Sequence, residues 1–213
     1  MPVTIDPQSY QGLDRLGRLR LSPSFHLREF LYSEIATHYG IRNVPDAGRV
    51  DEAVYAGAQL CERLLEPLQA RFGRVHIRSG YRSRAVNAAG AGKHNCAVEN
   101  DGFHTWDWPS PQHGRGATAC ISVPSVSRAV LSGAVHFEAL AWWIHDHLTD
   151  WSFVEFFATP EHSDEVCFNL GWHEKPLKTI TSWRGGVRAL HKATPSAAER
   201  ASLGQMLERN ASI

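Results

Sequence analysis

The stretch from Ile77 to Asn87 reads IRSGYRSRAVN, and a later stretch from His113 to Cys120 reads HGRGATAC. A short strand is predicted over residues 75–79, so the first stretch starts inside a strand and continues beyond it. From 117 to 123 apolar and polar residues alternate, which predicts a second strand with its polar side chains on one face. Both stretches therefore place polar side chains on or beside predicted strands.

Composition limits the class of protein and partner. The chain has 213 residues, which fits one domain or one domain with a tail. Lys plus Arg and Asp plus Glu both number 22, so the net charge is zero and nucleic acid is not expected as the main partner. No apolar run approaches ~20 residues, so no membrane span is predicted. The first residues lack the basic and apolar regions of a signal peptide, and we expect cytoplasmic synthesis.

The four cysteines are irregularly spaced, which favours free thiols in a reducing compartment. They are Cys61, Cys96, Cys120 and Cys167.

The clearest predicted helix spans residues 51–72. Its apolar positions are separated by alternating steps of four and three residues, which places them in one stripe along the helix. These positions are Val54, Ala58, Cys61, Leu65, Leu68 and Phe72. Gly73 is expected to end the helix, and Pro67 is expected to kink or break it.

The segments before this helix and the loop after the first motif are predicted from their composition. Residues 1–24 are polar and contain three prolines, which indicates an extended N-terminal arm. Residues 25–39 are predicted to form one or two short helices, with Ser33 as the N-cap of the second. Residues 90–112 are rich in Gly, Asn, Asp and Pro and are expected to form a long irregular insertion loop.

The C-terminal half is predicted to contain one helix, three strands and a tail. The helix is expected over 135–148, and the strands are expected over 151–157, 165–172 and 177–183. Residues 184–213 are expected to form a tail with a short helix that begins near Ser196.

The residues Ser79 to Ser83, which read SGYRS, together with Asn87 resemble the opening signature of a peptidase family. This is the zinc D-Ala-D-Ala carboxypeptidase and L-alanyl-D-glutamate endopeptidase family, which includes many phage endolysins. A pattern H-x-x-G-x-A-x-D follows in that family, and here His113 and Gly116 match it while Cys120 replaces the aspartate. The resemblance covers about residues 25–183. It implies an α+β Hedgehog/DD-peptidase fold, with a small antiparallel sheet and helices packed against it.

The resemblance also implies a catalytic zinc site with His, Asp and a second His as ligands. Such a zinc needs three protein ligands and an open position for water, whose pKa it lowers to about 7. His113 would be the first ligand, and Cys120 would be the second because a thiolate binds zinc well. Asn169 best matches the third position, although an amide is a poor zinc ligand. Cys167 lies two residues earlier on the same face of the strand and is the alternative third ligand.

Roles in substrate binding and catalysis follow from the same resemblance. Arg82 would bind near the scissile peptide or the substrate carboxylate, with Tyr81 and Asn169 at the substrate. The general base is expected about three residues before the third ligand. That position is Val166 if the ligand is Asn169, and Asp164 if the ligand is Cys167.

Three interpretations of the second motif remain open. His113, Cys120 and Asn169 could be packed remnants of a former site, or zinc could be bound by His113, Cys120 and Cys167 or a loop histidine. If the first three residues converge, they could instead form a Cys-His-Asn arrangement as in papain-like hydrolases. The insertion loop adds further side chains whose spacing matches no standard metal motif. They are His94, Cys96, His104 and Asp107.

The function expected from the resemblance is a cell-wall-peptidase-like domain with a depleted zinc site. Such a domain would bind peptidoglycan or serve as a structural or accessory protein of a phage particle. Its partners would be a bacterial cell-wall peptide or other virion proteins. The alternative is an active zinc metallopeptidase that cleaves peptidoglycan peptides.

Overall fold

The structure is a computed structural model that describes residues 5–7, 9–94, 96–157 and 165–182, and the backbone of 188–189. It has an α+β fold, as expected. Its α-helices are α1 Tyr10–Gly17, α2 Glu34–Tyr39, α3 Val50–Leu60, α4 Glu66–Phe72, α5 Arg84–Gly90, α6 Pro124–Leu131 and α7 Glu138–His147. Its strands are β1 His76–Ser79, β2 Gly116–Ser122, β3 Trp151–Phe156, β4 Cys167–His173, β5 Thr179–Ser182 and β6 Arg188–Ala189.

The strands form one sheet in the order β1-β2-β4-β3-β5-β6. Neighbouring strands are antiparallel except β3 and β5, which are parallel, so the sheet is mixed and not antiparallel as the sequence analysis expected. The chain reverses direction after β3 and again after β4, and β5 then lies on the far side of β3. Two reversals give β5 the same direction as β3, which explains the parallel pair.

The core lies between one face of the sheet and α3. Ala117, Ala119 and Ile121 on β2 are fully buried on this face, which confirms the alternation predicted for this strand. Small residues on α3, including Ala53 and Gly57, allow the helix to approach closely. A Cβ atom at Gly57 would lie only 2.7 Å from the Trp106 ring, so that position has no space for a larger residue.

The predicted helix over 51–72 consists of α3, a π-helical segment Cys61–Leu65 and α4. The segment precedes Pro67, which lacks an N–H for helical hydrogen bonding, so the predicted break at this proline is confirmed. The predicted stripe is buried from Cys61 onward, but Val54 and Ala58 are only partly buried and Leu60 is buried instead. The wider π-helical turn rotates the buried face of the helix, which explains why the residues before this turn do not follow the predicted stripe.

The N-terminal segment is not an extended arm as predicted, because it contains α1. The Ser9 side chain accepts a hydrogen bond from the Gly12 N–H and begins this helix, and Leu16 is fully buried. The predicted short helices over residues 25–39 are confirmed. A 3₁₀ helix Leu27–Phe30 precedes α2, and the Ser33 side chain caps α2.

The remaining predicted elements match the structure within a few residues, but α6 and the short strand β6, which lies in the predicted tail, were not expected. Between α5 and β2 the described residues form an irregular loop with isolated bridges, as predicted. The helix predicted near Ser196 lies outside the described residues. In the described part of the chain, no helix has both the length and the apolar character required to cross a membrane.

Buried hydrogen bonds fix the SGYRS segment after β1. A Cβ atom at Gly80 would lie 2.7 Å from the Phe30 side chain, so only glycine fits this close approach. The buried Asn43 amide donates to the Tyr81 carbonyl oxygen at 2.8 Å and accepts from the Ser83 N–H at 2.8 Å. Ser83 in turn caps α5. The segment is therefore a rigid turn between β1 and α5.

Candidate functional site

The sheet face opposite α3 carries a row of polar side chains on three adjacent strands. Cys120 on β2 is directly opposite Asn169 on β4, and Glu155 on β3 is also directly opposite Asn169. Directly paired residues of neighbouring strands point to the same side of a sheet. Cys167, two residues before Asn169, shares this face, so the predicted grouping of Cys120, Cys167 and Asn169 is confirmed. The sequence analysis did not single out Glu155.

Asn169 is 9% exposed and uses only part of its hydrogen-bonding capacity. Its Nδ2 donates to Glu155 Oε2 at 3.1 Å. Its Oδ1 is buried and has no hydrogen-bond partner among the described residues. Leaving a buried acceptor unpaired costs about 1–3 kcal/mol. The centre of the row therefore contains a buried amide oxygen, and the Asn169 side chain lies within hydrogen-bonding reach of His104.

His104, which the sequence analysis treated only as a loop residue, lies beside this row. Its Nδ1 is 2.6 Å from the Gly80 carbonyl oxygen, so Nδ1 carries the proton and Nε2 is left as an acceptor. The ring is next to the Asn169 side chain. Burial, and secondarily the charge of Arg82, lower the pKa of His104 to about 3, so the imidazole is neutral near pH 7.

The insertion loop holds His104 in place through several hydrogen bonds. The backbone N–H of Arg82 donates to the His104 carbonyl oxygen at 2.8 Å. The His104 N–H donates to the Asn100 side chain at 3.3 Å. Two residues further on, the buried Trp106 indole donates to the Thr118 carbonyl oxygen on β2 at 3.1 Å. This anchor fixes the loop against the sheet.

Arg82 lies at the same place in the fold. Its Nη1 is 3.2 Å from Cys96 Sγ in the loop, and its charge acts on both His104 and Cys120. Arg82 therefore lies on the His104 side of the site. A half-buried guanidinium in this position is suited to bind a carboxylate.

Cys120 and Cys167 are neighbouring thiols that form no disulfide. A hydrogen bond with the Cys167 thiol, together with burial, raises the pKa of the Cys120 thiol far above its ordinary value. The charges of Arg78 and Arg82 act in the opposite direction but are smaller effects. A protonated thiol is neither a nucleophile nor a strong metal ligand. The arrangement thus argues against the Cys-His-Asn interpretation.

His113 lies at the other end of the sheet face. Its Nδ1 is 3.2 Å from the Lys175 carbonyl oxygen, and its ring centroid is 5.6 Å from that of His173. His173 is opposite Gly116 in the β2–β4 register. Gly116 is four residues before Cys120 on the same strand, a separation of about 13 Å. The structure therefore does not bring His113 together with Cys120.

The donors present do not fit the zinc site that the resemblance implies. His113 is separated from Cys120. The Cys120 thiol is hydrogen bonded to Cys167. The Asn169 amide is hydrogen bonded to Glu155. In the parts of the chain that the structure describes, no three His, Cys, Asp or Glu side chains are grouped to hold a metal.

Three other positions considered for the site have different outcomes. Tyr81 is completely buried and its hydroxyl donates to Asp107 Oδ1 at 3.0 Å, so the structure leaves it no surface for the expected contact with substrate. Val166, the other base position, carries no ionisable group and is buried. Asp164, the predicted general base, lies outside the described residues.

No family model, curated protein or solved structure matches the chain. The likeness to the peptidase family therefore rests on the two sequence motifs alone.

Proposed function

We propose that this chain is a cell-wall-peptidase-like domain of the Hedgehog/DD-peptidase fold that has lost its catalytic zinc site. It binds a peptidoglycan peptide without cleaving it, as an accessory protein of a phage particle. The proposal is carried by the chemistry and the hydrogen bonding of the Asn169 side chain. The residue that matches the third ligand position is an amide, and it is hydrogen bonded to Glu155.

The other side chains of the site support binding without catalysis. Arg82 supplies a guanidinium for a peptide carboxylate. His104 and Asn169 supply neutral acceptors, and Glu155 supplies a negative charge on the same face. The raised pKa of Cys120 removes the nearest nucleophile. These groups recognise a peptide by hydrogen bonds and charge, which requires no metal.

Calorimetry and elemental analysis test the proposal on the full chain. The ligand is the stem pentapeptide L-Ala-γ-D-Glu-L-Lys-D-Ala-D-Ala. We expect the peptide to bind and remain intact, and Arg82→Ala to weaken binding by about tenfold or more, as expected for a charged hydrogen bond. Arg71→Ala, which removes an exposed arginine on α4, is the matched control and should bind like the parent.

Circular dichroism of each variant checks that its fold is retained, and Arg82→Lys provides a second variant that keeps the charge. The protein purified without added metal should contain much less than one zinc per chain. Stoichiometric zinc together with cleavage of the pentapeptide would replace the proposal with an active metallopeptidase. Absence of binding would reject the proposal.

A further inference from the structure

Two cysteines on neighbouring strands lie in contact beside Asn169. Cys120 on β2 is opposite Asn169, and Ser122 on β2 is opposite Cys167 on β4, so the two cysteines are diagonal neighbours. Their side chains share the sheet face opposite α3, and a hydrogen bond joins the two thiols. Both residues are partly exposed, so a small reagent in solution has access to the pair.

The diagonal arrangement favours a disulfide that forms and is reduced again easily. Diagonal neighbours on antiparallel strands are about 7–8 Å apart, whereas the Cα atoms of a disulfide are usually about 4.4–6.8 Å apart. The two strands must therefore approach each other by about 1 Å to close the bond. A disulfide under such strain is more readily reduced than a relaxed structural one.

The other two cysteines have different surroundings. Cys61 is completely buried in the π-helical segment. The Cys96 thiol donates a hydrogen bond to Asn87 Oδ1 at 3.0 Å, and its Sγ lies 3.2 Å from Arg82 Nη1. The structure therefore favours a bond between Cys120 and Cys167 over one that includes Cys61 or Cys96.

We propose that Cys120 and Cys167 form a reversible redox pair, which glutathione disulfide oxidises to a cross-strand disulfide. One cysteine loses its proton and attacks a sulfur of glutathione disulfide, whose S–S bond breaks and releases one glutathione that takes up a proton. The second cysteine then loses its proton, attacks the mixed disulfide and releases the second glutathione. Two cysteine sulfurs are oxidised and one glutathione disulfide is reduced. The inference goes beyond the proposed function and requires no peptide ligand.

The rate and the equilibrium of this exchange have different causes. The attacking species is a thiolate, so the raised pKa of the Cys120 thiol makes the exchange slow near pH 7. The equilibrium depends instead on how closely the fold holds the two sulfurs together. Incubation must therefore continue until the number of thiols no longer changes.

Thiol counting on the full chain tests the proposal. The protein is equilibrated in buffers that contain mainly reduced glutathione or mainly glutathione disulfide, quenched with acid and alkylated with N-ethylmaleimide in denaturant. We expect mass spectrometry to show four alkylated cysteines in the reducing buffer and two in the oxidising buffer. The unmodified chain should become lighter by two hydrogen atoms, and a peptide map should link Cys120 to Cys167. Returning the protein to the reducing buffer should restore all four thiols.

Three variants assign the loss of thiols to this pair. Cys120→Ser and Cys167→Ser each remove one partner, so oxidation should give at most glutathione adducts, which increase the mass of the chain. Cys61→Ala is the matched control, because it removes a buried cysteine outside the pair and should lose two thiols as the parent does. If a serine variant does not fold, the peptide map of the parent protein still assigns the bond.

Each alternative outcome rejects the redox pair. Four alkylated thiols at equilibrium in the oxidising buffer would show that the fold does not allow the bond. Glutathione adducts alone, or a link to Cys61 or Cys96, would show that the two sulfurs are not the reacting pair. A disulfide that the reducing buffer does not open would show that the bond is structural and not reversible. None of these results bears on the binding of the stem pentapeptide.

Discussion

Lowering the pH from 7.5 to 5.0 is expected to destabilise this protein, because the fold buries two neutral histidines. His104 and His173 are both buried, and the pKa of each is lowered to about 3. Burial is the main cause in both cases, followed by the charge of Arg82 for His104 and of His113 for His173.

The sign and size of the effect follow from proton linkage. An exposed histidine in the unfolded chain has a pKa of about 6.5, so between pH 6.5 and 3 the unfolded state binds the proton and the folded state does not. The stabilisation is complete above about pH 6.5 and is lost as the pH falls. From pH 7.5 to 5.0 each histidine loses about 2 kcal/mol, and the pair therefore loses about 4 kcal/mol of the free energy of unfolding.

Urea unfolding at both pH values, followed by circular dichroism, measures this loss. His104→Gln removes one of the two groups, and its loss between the two pH values should fall to about 2 kcal/mol. His38→Gln is the control, because this exposed side chain changes its surroundings little on unfolding. A parent protein that loses less than about 1 kcal/mol would refute the reasoning, as would a His104→Gln variant with an unchanged loss.

Three further predictions concern single sites. Asn43→Ala should lower the free energy of unfolding by about 2–4 kcal/mol, because its side chain bonds three backbone groups, and an unchanged urea midpoint would contradict this. Cys120 should react slowly with iodoacetamide at pH 7 because its pKa is raised, and mass spectrometry showing fast, selective labelling of this thiol would disprove it. The double change Cys120→Asp with Asn169→His should bind zinc more tightly than either single change, since it adds two ligands beside His104. Calorimetric titration measures this, and equal affinity in all three variants would show that these positions do not converge on a metal.

Local sequence patterns predicted most of the fold. The alternation in β2 and β4 identified the correct faces, because a strand buried on one side imposes a period of two. The two missed helices have weaker signals. Only a serine cap and a few buried residues such as Leu16 support α1, while α6 begins with Pro124, and a proline in the first turn could have indicated its start.

The candidate site was only partly predictable, because it depends on the path of a long loop and on strand register. The motif suggested His113, whereas the structure places His104 beside Asn169. The position of His104 depends on the hydrogen bond from the Trp106 indole to the backbone of β2, which is a tertiary contact with no local sequence signal. Glu155 could have been noticed as a charged residue within an apolar strand, but its pairing with Asn169 requires the β3–β4 register.

The position of β4 between β2 and β3 has a consequence for the timing of folding. During synthesis from the N-terminus, β2 and the insertion loop are complete well before β4 is made, so one edge of β2 has no partner during that interval. His104 likewise has no Asn169 beside it until β4 joins the sheet. The polar row is therefore completed in one late step, when β4 is inserted between its two neighbours.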